Sequence, residues 1–330
     1  MKPSKLKDFL ATAARNRFPV LLTGAPGVGK TDLITQVAAT TDSDLIFMHP
    51  AVSDPTDFKG MPALAEGGAE FLPFGDLKQL VTANRPTVVC PDDIGQAPMA
   101  VQAALMQLFL ARRIGEHKVS DYVTFIGATN RREDRAGVSG LLEPVKSRFM
   151  SIVAFDPDLD DWCRWGLNNS LPHDLISFVR YRPHLLLDPN PSHELVNTPS
   201  PRTITNLGRW VNAGVEDMEV LGGATGEGFA AEYLAFRKIW RSLPDISMIL
   251  ADPERADVPT DVAVLYAMSG ALTARATKEN GDAMFRYIRR LPPEFQVLIT
   301  KDMASSSSPA IQTQAFAAWA RDNHNDNFGR

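Results

Sequence analysis

GAPGVGKT (24–31) is the stretch on which the reading of this chain turns. It fits the pattern G-x-x-x-x-G-K-[ST], a loop whose backbone N–H groups close around phosphates, and it sits where such a loop must sit. The run before it, PVLLT (19–23), reads as a short apolar strand, and helical spacing resumes from Lys30 to about Ala39. The chemistry explains the pattern. A triphosphate needs many donors in a small space, and glycines let N–H groups from Gly27 to Lys30 turn inward at a helix amino terminus. Gly24, Pro26, Gly27, Val28, Gly29, Lys30 and Thr31 are therefore the expected nucleotide contacts. Lys30 is expected on the β- and γ-phosphates, and Thr31 offers its hydroxyl to a magnesium ion that keeps several waters. The expected cofactors are ATP and Mg2+.

Outward from the loop, strand and helix alternate. Apolar residues recur at helical spacing from Pro3 to Arg17 and again over APMAVQAALMQLFLAR (97–112). Further strands are predicted at LIFMH (45–49), TVVC (87–90), YVTFIGAT (122–129) and MSIVAF (150–155). Parallel strands need crossover connections, so the fold class is α/β, a parallel sheet sandwiched by helices. After Phe155 the pattern becomes helical and is broken by Pro172, Pro183, Pro189, Pro191, Pro199 and Pro201. Three domains are expected: an α/β nucleotide-binding core over 1–155, a small helical domain over 156–215 and a helical carboxyl-terminal extension over 216–330. LGGATGEG (221–228) reads as a glycine-rich joint, SSSSP (305–309) as a loop, and RDNHNDNFGR at the carboxyl end as a fraying tail.

TVVCPDD (87–93) complements the phosphate loop. Ligands of open parallel sheets bind beyond the carboxyl ends of the strands, which is where this run delivers two acids. Asp92 is expected to face the metal's water shell and Asp93 the attacking water; taken alone, Asp92 would read as a solvated turn residue before IGQAP. Pro91 lacks a ladder donor and should mark the strand's last position.

Composition sets the outer limits. With 44% hydrophobic and 22% charged residues over 330, the chain is expected to be globular, and no apolar run is long enough to span a bilayer. The amino terminus has basic residues but no apolar segment with a small-residue cleavage site, which predicts a cytoplasmic location. Cys90 and Cys163 are too few for a disulfide framework and are expected to be reduced and buried. The six scattered histidines lack metal-binding spacing. A net charge of −5 supplies no global field for nucleic acid.

PDDIGQAPMAVQAALMQLF (91–109) resembles the Walker B segment of MoxR-type AAA+ ATPases, in the clade with an insert at helix 2. There the pattern reads D-E-[IL]-N-[RK]-A-P, followed by a helix beginning x-x-Q-x-A-L. Other marks fall in order: GATN (127–130) resembles the sensor 1 strand end, SRF (147–149) the arginine-finger segment and SPR (200–202) the sensor 2 motif of the helical lid. DFKGMPALAEGGAEFLPFGDL (57–77) is similar to the inserted hairpin. The resemblance covers about 1–215, whereas 216–330 resembles only the helical extensions of some relatives. It implies that Asn130 positions water with Asp93, that Arg148 reaches the γ-phosphate of a neighbouring subunit, and that Arg202 touches the nucleotide from the lid. Singly, these residues would read as a strand-end turn residue, a helix-end charge and a cap partner.

Two departures stand out. Asp93 occupies a position where most relatives carry glutamate; a displacement of about 1 Å can cost on the order of a hundredfold in rate, so slow hydrolysis is expected. Gly95 and Gln96 replace Asn and a basic residue. Arg112, Arg113, Arg131, Arg132 and Arg135 either substitute for that charge or form a solvated cluster.

The resemblance implies an ATP-hydrolysing ring, a hexamer of identical subunits, that remodels a protein partner through an adaptor with a von Willebrand factor A (VWA) domain. One alternative is a DNA-directed motor of the McrB type, which would carry a basic stripe; the insert's GGAEFLPF is acidic and aromatic instead. Another is a nucleotide-held scaffold with slow turnover. No membrane role is expected.

Overall fold

The computed structural model describes residues 1–65, 68–134, 140–189 and 195–323. The chain divides into two units, Met1–Asp158 and Leu159–Arg330. The first opens with helix α1 (Pro3–Asn16), where a proline whose missing N–H is harmless occupies the first turn. Strand β1 (Val20–Thr23) leads through the phosphate loop into α2 (Lys30–Thr40). Strand β2 (Asp44–Met48) is followed by the short α3 (Thr56–Lys59). Next come the antiparallel hairpin β3 (Met61–Ala65) and β4 (Gly68–Leu72) and helix α4 (Gly75–Thr82). Strand β5 (Thr87–Pro91) precedes the long α5 (Met99–Ala111). A minimal hairpin, β6 (Arg113–Ile114) with β7 (His117–Lys118), precedes β8 (Val123–Thr129), and the unit closes with α6 (Glu143–Lys146) and β9 (Ser151–Ala154).

All five principal strands are parallel, in the order β2-β5-β8-β1-β9. Every residue of β5 and β8 is buried, which is why these strands read as unbroken apolar runs, whereas the edge strand β9 alternates. A core of Val89, Phe125, Leu77, Leu80, Val101, Leu105 and Leu108 joins the sheet to α4 and α5, while α1 and α2 pack along β8 and β5. Pro91 ends β5 as expected. On the β8 side Thr87 donates to Tyr122 O and the pairing stops at Val89, so the missing N–H of Pro91 is not needed; on the other side Asp92 N–H extends the ladder to Met48 O at 2.8 Å.

The second unit is helical: α7 (Leu159–Asn168), α8 (His173–Tyr181), α9 (Pro201–Asn212), α10 (Met218–Thr225), α11 (Glu227–Arg241), α12 (Ile246–Ala251), α13 (Val262–Ala274), α14 (Gly281–Ile288), α15 (Pro293–Ser305) and α16 (Gln314–Asp322). One core joins Leu175, Phe178, Ile204 and Leu207 to Phe229, Tyr233 and Phe236; another gathers Met284, Phe285, Ile288, Ile299 and Trp319. A buried ion pair between Arg180 of α8 and Asp302 of α15 spans the two, and the Arg180 Nη2 bond to Asp302 Oδ1 measures 2.6 Å.

One expectation is corrected. LGGATGEG (221–228) is a joint only at Gly226, which at φ 92° separates α10 from α11; α10 runs through Thr225, because Asp217 accepts from Glu219 and Val220 N–H groups at its start and Leu221 and Thr225 are buried. Packing and capping override the poor helix propensity of the glycine pair. The β6–β7 hairpin was not expected. Of the tail predicted to fray, 321–330, Arg321 and Asp322 end α16, while 324–330, like Pro191, Glu66 and Gly67, lie outside the described residues. Among the described residues, no helix is long and apolar enough to cross a membrane.

Candidate functional site

Three adjacent strands, β5, β8 and β1, deliver the predicted residues to one end of the sheet. β1 runs into the phosphate loop, which the fold could not build without glycine. Gly29 precedes α2 at φ 101°, a left-handed conformation that residues with a Cβ rarely adopt. Gly24 lies so close to the end of β9 that a Cβ there would meet Phe155 O at 2.6 Å. The loop places Lys30 at the first position of α2, where it is 7% exposed. Its Nζ donates to Gly24 O at 2.9 Å, to Ala25 O at 3.0 Å and to Asn130 Oδ1 at 2.7 Å.

Asn130 follows β8, whose neighbours in the sheet are β1 and β5, and it bonds toward both. While Oδ1 accepts from Lys30, Nδ2 donates to Asp93 Oδ1 at 3.0 Å. Asp93 itself is left-handed, at φ 51° and ψ 34°, a region that aspartate tolerates better than most residues. Its N–H donates to Asp92 Oδ1 at 3.0 Å, and the other Asp92 oxygen accepts from Thr31 Oγ1 at 3.1 Å. Lys30, Thr31, Asp92, Asp93 and Asn130 thus form one connected polar cluster. One hydroxyl beside one carboxylate is a sparse donor set, and it suits a metal that keeps waters and takes its remaining ligands from phosphate. Behind the acids, burial first, and then the Asp92 and Asp93 charges, push the Cys90 thiol well above its ordinary range, so it stays protonated and unreactive. Cys163 is likewise free and buried, and pushed up to about 12, chiefly by burial.

Arg148 is not part of that cluster. It follows α6, its N–H donates to Val145 O at 3.1 Å, and its Nε is buried without a hydrogen-bond partner. Arg202 belongs to the second unit, exposed in the first turn of α9, whose start is fixed by a capping box between Ser200 and Thr203. The reading of the other arginines resolves toward local structure. Arg112 donates to Ser120 O and Val123 O at 2.8 and 3.0 Å, Arg113 to Glu116 O at 2.7 Å, and Arg131 pairs with Asp156. The Arg132 side chain and Arg135 lie outside the described residues.

Sequence reasoning gave no role to a buried glutamine, although it stands at the Q of the helix pattern x-x-Q-x-A-L. Gln102, inside α5, binds Ala97 O, Gly140 O and Leu142 N–H through its side chain. A polar residue on the buried face of an otherwise apolar helix was the available signal.

Residues 19–149 match the family model described as AAA domain (dynein-related subfamily). Midasin of Giardia intestinalis is 25% identical over 190 residues, which is 54% of this chain and 4% of that protein, so the chain spans a small part of its curated relative. Among solved structures, the Thermotoga maritima RuvB Holliday junction branch migration motor is 17% identical, with a TM-score of 0.41 and coverage of 74% of this chain and 76% of that one. NtrX from Brucella abortus in complex with ADP is 14% identical at a TM-score of 0.39, covering 98% of this chain and 67% of that one. The sheet, the phosphate loop and the family match make the fold that of an AAA+ P-loop NTPase, and the first unit a nucleotide-binding domain.

Proposed function

We propose that this chain is a magnesium-dependent, MoxR-like AAA+ ATPase that assembles as a hexameric ring in the cytoplasm and remodels a protein partner, reached through a VWA-domain adaptor. The observation that carries the reading is the connected cluster at the ends of β1, β5 and β8: Lys30 to Asn130 to Asp93, and Thr31 to Asp92. In this reading backbone donors of the loop hold the triphosphate, and Lys30 transfers its charge from carbonyl oxygens to the β- and γ-phosphates. Thr31 and Asp92 would hold Mg2+, which would supply charge neutralisation at the phosphates. Asp93 takes the proton of the attacking water, and Asn130 fixes the carboxylate that does so.

Arg148 completes the reading. A half-buried guanidinium outside its own phosphate cluster suits a finger that acts on a neighbour's γ-phosphate. The sequence resemblance alone assigns the lid over 156–215 and, within it, Arg202 as a nucleotide sensor. The acidic and aromatic insert, with Glu70 beside the exposed Phe71 and Phe74, favours a protein over a nucleic acid as partner.

Affinity capture tests the partner class. An Asp93→Asn protein loaded with Mg·ATP should hold its cargo, and a VWA-domain protein recovered only with ATP supports the reading. Nucleotide-dependent recovery of DNA in place of protein would contradict it.

A further inference from the structure

Gln102 is 1% exposed, among the buried members of α5, where the others, Val101, Ala104, Leu105 and Leu108, are all apolar. Burying an amide there costs stability unless its groups are satisfied, and a methionine or leucine would fill the space without that cost. The amide makes three bonds, all to backbone. Nε2 donates to Ala97 O and to Gly140 O at 3.0 Å each, and Oε1 accepts from Leu142 N–H at 3.0 Å.

The two ends of this clamp matter. Ala97 ends the short turn Ile94–Gln96 that begins at Asp93. Leu142 is the amino-terminal cap of α6; its carbonyl accepts from Val145 and Lys146, and Arg148 N–H closes on Val145 O. One side chain therefore ties the helix that sets Arg148 to the turn after Asp93, and that turn has holds of its own: Gln96 N–H donates to Asp93 O at 2.9 Å, Gly95 N–H to Thr129 Oγ1 at 3.2 Å and Asn130 Nδ2 to Asp93 Oδ1 at 3.0 Å. Apolar contacts hold the same region in the core: Val145 is buried, and Phe149 stacks edge-on against Phe109 of α5 at 5.5 Å. Losing the amide should shift the register of 140–148 without unfolding it.

We propose that Gln102 is a positioning residue for Arg148, so that its loss impairs the neighbouring subunit's active site while its own stays intact. The inference rests on the ring reading above. A Gln102→Met protein should bind a fluorescent ATP analogue as the wild type does, with kcat reduced about a hundredfold, the effect of a misplacement of roughly 1 Å. Mixing it with Lys30→Ala protein should restore turnover, because the latter offers a well-placed Arg148 to an intact phosphate loop. Mixing it with Arg148→Ala should restore none.

If Gln102→Met fails to fold, Leu142→Pro serves in its place: φ at Leu142 is −59°, which proline accepts, and the N–H that Oε1 accepts is lost together with the half-buried leucine side chain. Unchanged turnover, or lost turnover that Lys30→Ala does not restore, overturns the proposal. The control mixture of Arg148→Ala with Lys30→Ala separates the two readings: if it regains activity and the Gln102 mixture does not, the ring stands and this inference alone fails.

Discussion

Lys30 Nζ and Asn130 Oδ1 lie 2.7 Å apart, joining residues 100 positions distant in the chain. The contact follows from strand order, because Asn130 leaves the strand next to the one that feeds the phosphate loop. In this state the ammonium is stabilised by the Asn130 oxygen and two loop carbonyls, in a site where an unpaired charge would be costly.

Lys30→Ala is expected to weaken ATP binding by at least one to two orders of magnitude. Charge-assisted hydrogen bonds contribute about 1.5–3 kcal/mol each, and roughly 1.4 kcal/mol is tenfold in affinity. Titration of a fluorescent ATP analogue measures this. Undiminished affinity would mean that triphosphate is not bound by this loop.

Asp92→Asn is expected to reduce Mg2+-dependent turnover about ten- to hundredfold, the range for lost outer-shell metal partners, with nucleotide affinity near wild type. The phosphates rest mainly on backbone donors, whereas the metal needs the carboxylate that Thr31 Oγ1 now touches. Steady-state hydrolysis beside equilibrium binding decides it. Wild-type turnover in the variant would make Asp92 a turn residue.

The central strands β5 and β8 were legible because strands buried on both faces are written as apolar runs, and GAPGVGKT fixed which strand leads into the site. Asp92, Asp93 and Asn130 were legible as strand-end residues, and the structure brings them together. Less could be read where tertiary contacts decide. The β6–β7 hairpin has two residues per strand, too few for any periodicity. α10 hides behind a glycine pair whose helicity depends on the Asp217 cap. The Gln102 clamp joins it to residues 38 and 40 positions away, which no local pattern encodes. Whether Arg112 was a surface charge or an interface cation depended on carbonyls at Ser120 and Val123, invisible before the fold.

In the second unit, Asp302→Asn should destabilise by about 3–5 kcal/mol, because it leaves the Arg180 guanidinium buried without its counter-charge. The double replacement Arg180→Met with Asp302→Leu should recover most of that loss, since two apolar side chains need no partner there. Urea unfolding of the wild type and both variants measures it. A double variant less stable than Asp302→Asn would show that the pair itself is net stabilising.

Acid should weaken the same unit through His173. Burial, first of all, holds its pKa below the ordinary value, with Arg180 acting in the same direction and Asp302 and Asp174 opposing. Above pH of about 6.5 the imidazole is neutral folded or unfolded, and nothing is lost. As pH falls below that value the unfolded chain takes up the proton first, so stability declines until the folded His173 also protonates. Thermal melts at pH 7.5 and 5.5 should show a smaller drop in Tm for His173→Gln than for the wild type. Equal drops would assign the acid sensitivity elsewhere.

In the proposed ring each active site is completed by a neighbour, and a mixture of two inactive proteins puts that to the test. Arg148→Ala should bind ATP normally and hydrolyse it roughly 10³–10⁵ times more slowly, the contribution of arginine fingers in P-loop enzymes. Lys30→Ala should be inactive for want of nucleotide. Combined, they should regain measurable ATPase activity, because an intact Arg148 from one can face an intact phosphate loop of the other. If the mixture stays as inactive as its components, or if Arg148→Ala alone keeps full turnover, the shared-site ring is contradicted.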